Sequence, residues 1–461
     1  MTMERRNAWK TYTKAEKKAL EKLAVAYRAF LDNGKTEREC VATTIELAEK
    51  NGFMNLKDAI AAGKALKPGD KLYSSCMGKA IDLFVIGEKP LTEGLRIVGS
   101  HIDSPRLDLK QNPIYEDTDL CYADTHYYGG IKKYQWVAMP LALHGVVAKK
   151  DGTVVKVTVG EDPADPVVAV SDLLPHLGAK QMKKDGSEVI EGEELNVIIG
   201  GQPLPKEEKN AVKAGVMAIL ADKYGIEEED FLSAEIEVVP AGASRDLGLD
   251  RSMILGYGHD DRVCAYASLD ALLQLPAVPA YTCCCILADK EEIGSVGATG
   301  MRAHYFENDV AELLGLAGTF SDLAVRRALA NSKMLSCDVS AGYDPNFAGV
   351  FEKNNAAYLG RGVCFNKYTG SRGKSGSNDA NAEFIAELRK IMDDNNVAFQ
   401  TAELGKVDAG GGGTIAYICA LYGMNVIDSG VAVLSMHAPW EIISKADLYE
   451  ASKSYLAFMK G

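Results

Sequence analysis

The chain has 461 residues, 47% of them apolar and 25% charged, a globular composition too long for one ordinary core. Aspartate plus glutamate number 64 against 51 lysines and arginines, a formal charge of −13. That balance excludes nucleic acid or an anionic membrane as the main partner, and no apolar run approaches the ~18 residues of a membrane span.

The first segment reads as helical. Thr13 and Glu16 have capping-box spacing before an apolar-periodic run to about Leu31, and Gly34 stops it. Thr36 and Glu39 repeat the spacing for a second helix that Gly52 ends. The N-terminal residues Met1 to Lys10 are polar and have no apolar signal region, so a cytoplasmic protein is expected. Lys71 to Ile86 reads as a hairpin broken near Gly78, and Leu95 to Val98 as a short buried strand ending at Gly99, Ser100 and His101.

From about Pro113 aromatics and short strands dominate. Asp151 and Gly152 separate two strand-like runs as a hairpin turn would. Lys183 to Glu193 reads as an exposed loop, Asn210 to Tyr224 as a helix and Ala234 to Val239 as a strand. The expected division is a catalytic domain in two pieces, 1–108 and 248–461, around an inserted β-rich domain, 109–247.

After Arg251 strands alternate with helices again. Strands are expected at Ser252–Gly256, Tyr281–Ala288, Lys333–Cys337, Asn425–Asp428 and Val431–Met436. Helices are expected at Asp261–Leu275, Ala380–Asn395 and Lys445–Met459, with a glycine run, Gly410 to Gly413, opening another at Thr414–Tyr422. The fold class is α/β: a mixed sheet with helices on both faces plus the inserted β-rich domain. The ten cysteines include three in a row, Cys283 to Cys285, with no CxxC pair. They read as small buried hydrophobes of a reducing cytosol.

Histidines and carboxylates collect where the strands end. His101 and Asp103 follow Leu95–Val98; Asp260 and Asp261 follow Ser252–Gly256; Glu291 and Glu292 follow Tyr281–Ala288. Asp338 follows Lys333–Cys337, and His437 follows Val431–Met436. Ligands of an open α/β sheet bind at such carboxyl ends. Histidine and carboxylate without cysteine suits zinc, manganese or cobalt, and the ligand count suits two metals clamping a hydrolytic water. Asp103 can accept the second imidazole N–H of His101. One of Glu291 and Glu292 would bind metal and the other would move the proton; spacing leaves open which does which. Each residue alone has a plainer reading: an acidic turn at Glu291 and Glu292, a helix cap for one of Asp260 and Asp261, a turn cap at Asp338, a packed loop histidine at His437. Gly411 and Gly412 lack the lysine of a phosphate loop and fit close approach of a peptide-like substrate.

Five motifs in order, GSHIDSPRLDLK, GHDDRVCAYASL, DKEEIGSVGATG, SCDVS and LSMHAPWEI, make nearly the whole chain resemble the aspartyl aminopeptidase family of dinuclear zinc exopeptidases. The resemblance implies that His101 and Asp338 bind one zinc, Glu292 and His437 the other, and Asp260 bridges them. It implies Glu291 as general base and Asp103 as the group orienting His101. It further implies a zinc-exopeptidase catalytic domain of the phosphorylase/hydrolase-like type, an inserted dimerisation domain and a tetrahedral dodecamer built from dimers. His176 resembles a residue that reaches a neighbouring subunit's active site, and Lys374 a substrate-side lysine. The Asp260-Asp261-Arg262 sequence departs from the Asp-Asn of familiar eukaryotic members, which points to a prokaryotic-type member and weakens the case for acidic specificity. The expected activity is metal-dependent removal of N-terminal residues from peptides, with Asp or Glu as candidate residues. The alternatives are an amidohydrolase or dipeptidase using the same two-metal site, and a non-catalytic scaffold.

Overall fold

Three strands, Cys283–Ala288, Arg96–His101 and Lys333–Ser336, run parallel side by side inside a nine-stranded sheet. All their residues are buried except the half-buried Lys333. Sheets covered on both faces select continuous apolar runs rather than alternation. The triple cysteine shows why: Cys283, Cys285 and Leu287 enter one core, and Cys284, Ile286 and Ala288 enter the other. The register sets Ala288 opposite His101 and Ser336 opposite Gly99, so three chain segments leave the sheet together at one edge.

The structure, a computed structural model, describes residues 6–370 and 373–461. The first five residues of the polar N-terminal stretch lie outside the described residues, as do Ser371 and Arg372 of the SRGK motif. By contacts the chain divides into two units. One comprises Met1–Asp103, Arg245–Met436 and Glu441–Gly461; the other comprises Ser104–Ser244 with His437–Trp440.

In the first unit, helices cover both faces of the nine-stranded sheet, as the alternation predicted. Lys14–Asn33, His259–Leu273 and Lys445–Lys460 supply Tyr27, Leu269 and Phe458 to one core. Tyr305–Leu316 and Asp322–Ala330 supply Phe306 and Leu329 to the other. Both capping boxes form, at Thr13 with Glu16 and at Thr36 with Glu39. A second, five-stranded sheet runs Arg245–Leu247, Met253–Gly256, Glu441–Ser444, Ala432–Leu434, Ser340–Ala341. The strand expected over Val431–Met436 is therefore shorter, and Ser435 and His437 beyond it have φ of +59° and +65°.

The second unit holds a six-stranded sheet in the order Val154–Val159, Leu141–Ala148, Ala234–Pro240, Arg106–Asp117, Leu120–Tyr128, Val197–Gly200. All its neighbours pair antiparallel. Gly152, at φ +89°, makes the tight turn between the first two strands. The helix Ala211–Tyr224 packs over this sheet. Among the described residues of the chain, no helix is long and apolar enough to cross a membrane.

Candidate metal centre

His101 is the last residue of its strand and is 2% exposed. Its Nδ1 lies 3.0 Å from the Asp103 carbonyl oxygen and 3.3 Å from Asp103 Oδ1. An Nδ1–H donated there leaves the Nε2 lone pair as the ligand atom. Nε2 faces Asp260 Oδ1 at 3.2 Å, with Glu291 Oε2 and Asp338 Oδ1 each at 4.0 Å.

The strand Cys283–Ala288 ends in a left-handed Lys290, a short 3-10 turn at Glu291–Ile293 and Gly294 at φ +91°. The fully buried Asp103 fixes this turn. Its Oδ1 accepts the backbone N–H of Glu291 at 3.1 Å, and its Oδ2 that of Glu292 at 3.2 Å. Both glutamate side chains are thereby held half-buried. Asp289, one turn earlier, is buried against Thr299, and burial lifts its carboxyl to about 6.

Asp260 and Asp261 precede the regular helix, which begins at Arg262. Asp260 (φ −81°, ψ 105°) and Asp261 (φ −116°, ψ 24°) depart from helical geometry, and the peptide between them is cis. The Asp260 N–H donates to the buried Glu441 Oε2 at 2.9 Å, and Asp261 Oδ2 accepts the His101 N–H at 3.3 Å. The buried Arg262 donates to the carbonyls of Ile102 at 3.2 Å and Lys35 at 2.9 Å. His259 is a fully buried, packed histidine. It sits 2.6 Å from the Tyr27 hydroxyl, and burial holds it down to about 3.

Two ligand sets converge around His101: one with Asp261 and Asp338, the other with Asp260 and Glu292. Within each set the ligand atoms lie within 4.8 Å of one another. Carboxylates ~4 Å apart repel by on the order of 4 kcal/mol per pair at an effective dielectric of about 20. Burial first, then the charge of Glu291, hold the Asp338 carboxyl well above its usual range. Burial and then Asp338 do the same to Asp261. Burial alone would depress His101, yet its hydrogen bonds to the Asp103 and Asp260 carboxylates and the charges of Asp103 and Asp338 carry it well above its usual value. A divalent cation removes both costs, because it takes the place of those protons. Asp261 Oδ1 is buried without a hydrogen-bond partner. One imidazole and several carboxylates, with no thiolate, therefore fit zinc or a similar ion.

The strand ends expected in one sheet come from two. His101, Glu291, Glu292 and Asp338 follow strands of the nine-stranded sheet, whereas Asp260 follows Met253–Gly256 and His437 follows Ala432–Leu434 of the five-stranded one. Within the second unit, His437 Nδ1 lies 2.8 Å from the Gly130 carbonyl oxygen. His176 is exposed in that unit. Lys374 has its Nζ 3.1 Å from Asp379 Oδ2 and 3.9 Å over the Tyr368 ring. It lines a cavity of about 190 Å³ with Glu403, Lys406, Asp408 and Gly410. The glycine run does not open the expected helix directly: the helix is only Ala416–Ala420, with the Ala416 N–H donated to the Thr414 hydroxyl at 3.2 Å. Gly411 sits at φ +131°, and Gly412 donates its N–H to the Thr369 carbonyl at 2.9 Å. Glu441 and Arg262 were missed as supports of the site; for Arg262 the run of three charged residues, 260–262, leading into a buried helix was the available signal.

Residues 30–459 match the family described as aminopeptidase I zinc metalloprotease (M18). A probable M18 family aminopeptidase 1 of Clostridium acetobutylicum is 59% identical over 457 residues, covering 99% of this chain and 98% of that one. The crystal structure of aminopeptidase I from Clostridium acetobutylicum superposes with a TM-score of 0.93 at 57% identity, covering 100% of each chain. That of an M18-family aminopeptidase from Thermotoga maritima gives 0.95 at 45% identity, covering 99% of each.

Proposed function

Because the chain belongs to the M18 family of zinc metallo-aminopeptidases, we propose that its His101 cluster is the catalytic centre and holds two zinc ions. The activity is hydrolytic removal of N-terminal residues from peptides. The observation that carries the assignment is the convergence of two buried ligand sets on His101, with Glu291 Oε2 4.0 Å from its Nε2. In this reading His101 and Asp338 would hold one zinc and Glu292 the second, with Asp260 as a ligand the two would share. His437 completes the second set on the strength of the family resemblance alone. The nearness of Asp261 to Asp338 would let it serve as a further carboxylate for the first zinc.

Zinc, when bound, supplies Lewis acidity and lowers the pKa of a coordinated water. The protein supplies the rest. Asp103 holds the Glu291 backbone so that its carboxylate can take the proton of the attacking water and return it to the leaving amine. The site carboxylates also suit a free substrate amine, which confines attack to chain ends. Glu291→Gln tests the base: the variant is expected to keep its zinc and lose turnover by about 10²–10⁴-fold. Near wild-type turnover would overturn the assignment, and equal rates on free and N-acylated peptides would replace aminopeptidase by amidohydrolase.

Lys374 is the proposed substrate-side lysine. The cavity it lines is charge-balanced, Lys374 and Lys406 against Glu403 and Asp408. That balance, with Asp261 in place of asparagine, supports a substrate range wider than aspartate and glutamate. The family resemblance supports a dodecamer built from dimers, with the second unit as the dimerising part and His176 reaching a neighbour's site. Ten free cysteines, nine of them buried, support a reducing, cytoplasmic setting.

A further inference from the structure

The second unit has an unfilled interior. Between its six-stranded sheet and the helix Ala211–Tyr224 lies a cavity of about 280 Å³. Its walls come from the inward-facing residues of the strands, among them Leu143, Val157 and Ile236, and from Val216, Leu220 and Phe231. Seventeen of its nineteen lining residues are wholly apolar; the others are Lys223 and Tyr224.

The cause is the way the helix lies on the sheet. Along its fourteen residues only Val212 is fully buried. Val216 and Leu220 face the sheet yet stay half-buried, and Leu143 and Val159 opposite them do likewise. A close-packed core would not leave them so. Tyr224 ties the end of the helix to the edge strand by donating its hydroxyl to the Thr158 carbonyl at 2.8 Å. Lys223 stands beside it, its side chain 48% exposed, with Asp165 at 3.9 Å.

We propose that this cavity binds a medium-chain aliphatic carboxylate, such as a fatty acid. The chain would fill the apolar interior, and the carboxylate would pair with Lys223 in place of the loose contact to Asp165. An apolar lining of this extent favours an apolar ligand that takes it out of water. Ligand pockets combine such walls with a few polar groups that fix orientation. Lys223, the only charged residue in the wall, selects an anionic head.

Titration calorimetry of the full chain with decanoate, decanol and a short peptide ending in an apolar residue tests this. Saturable binding of one decanoate per chain is expected. Lys223→Ala should weaken decanoate about tenfold and leave decanol unchanged. Leu220→Trp should fill the cavity and abolish both, while its retained peptidase activity shows that it is folded. Should that variant fail to fold, Lys223→Ala, a half-exposed site, still decides through the decanoate–decanol contrast. No saturable decanoate binding overturns the proposal. So does binding that neither variant changes, or peptide binding tighter than that of decanoate that Leu220→Trp abolishes.

Discussion

Asp103 holds Glu291 by its backbone, accepting its N–H at 3.1 Å, while its other carboxylate oxygen accepts that of Glu292. The nearer acceptor for His101 Nδ1 is the Asp103 carbonyl, at 3.0 Å, rather than its carboxylate, at 3.3 Å. One buried residue therefore sets the imidazole and the glutamate turn together. Asp103→Asn keeps the carbonyl and one acceptor oxygen but turns an amide N–H toward the other backbone N–H. The expected result is a fall of about 10–100-fold in kcat or zinc affinity. Steady-state kinetics with metal analysis on the same preparation checks it. An unchanged kcat and zinc content would mean that the turn holds itself.

Zinc removal should cost stability as well as activity. Without the cation the carboxylates around His101 stand together in a buried site, and protons must replace the metal's charge. The chelated chain is expected to melt lower and to regain both midpoint and turnover on adding zinc. Calorimetry with and without chelator, run at one protein concentration, measures it. Restored turnover with no change in midpoint would detach the cluster's stability from its metal.

How much of this was legible follows from where each signal lies. The capping boxes at Thr13 and Thr36, the fully apolar strand Cys283–Ala288 and the hairpin turn at Gly152 are local, and the sequence shows them. That Asp260 follows a strand of a different sheet from His101 depends on long-range pairing, which no local pattern carries. At Asp261 a tertiary contact, the His101 N–H, takes the carboxylate oxygen that a helix cap would use. The helix after Gly413 spans only Ala416–Ala420, shorter than the apolar run suggested. Splitting Glu291 from Glu292 by role needed family resemblance, since both leave the same turn.

Asp447 gives the fold a pH dependence away from the metal cluster. It is fully buried and accepts the N–H groups of Gly360 at 2.8 Å and Gly362 at 2.7 Å. Burial nevertheless raises its carboxyl to about 7, above an ordinary 3.8. The folded state thus binds the proton more tightly than the unfolded chain. Its contribution is fully present below pH ~3.8 and is lost as pH rises through about 7, on the order of 2–4 kcal/mol. Asp447→Asn should lose less stability than the parent between pH 5 and 7.5. Parallel denaturant curves for the two proteins across that range would refute this.

Lys374 should tune which N-terminal residue is taken. With Lys406, Glu403 and Asp408 in the same wall, its removal leaves the cavity net negative. Lys374→Ala is expected to lower kcat/KM for N-terminal aspartate and glutamate several-fold, while leucine and methionine change little. A panel of aminoacyl-anilides reads the ratio directly. An equal loss on every substrate would make Lys374 a prop for the loop through Asp379.

His176 is exposed on the second unit, flanked by Leu173, Leu174 and Leu177, each about half exposed or more. Apolar side chains gathered on a surface suit contact with another copy. If His176 completes a neighbour's site, two inactive variants should repair each other. A chain with Glu291→Gln still carries His176, and a chain with His176→Ala still carries Glu291. Co-expressed, with a separate tag on each, they would form mixed assemblies in which the second chain's site is whole. Activity in the doubly purified assembly, above that of either variant alone, is the expected result. No recovery in assemblies shown to contain both chains would place His176 outside the reaction.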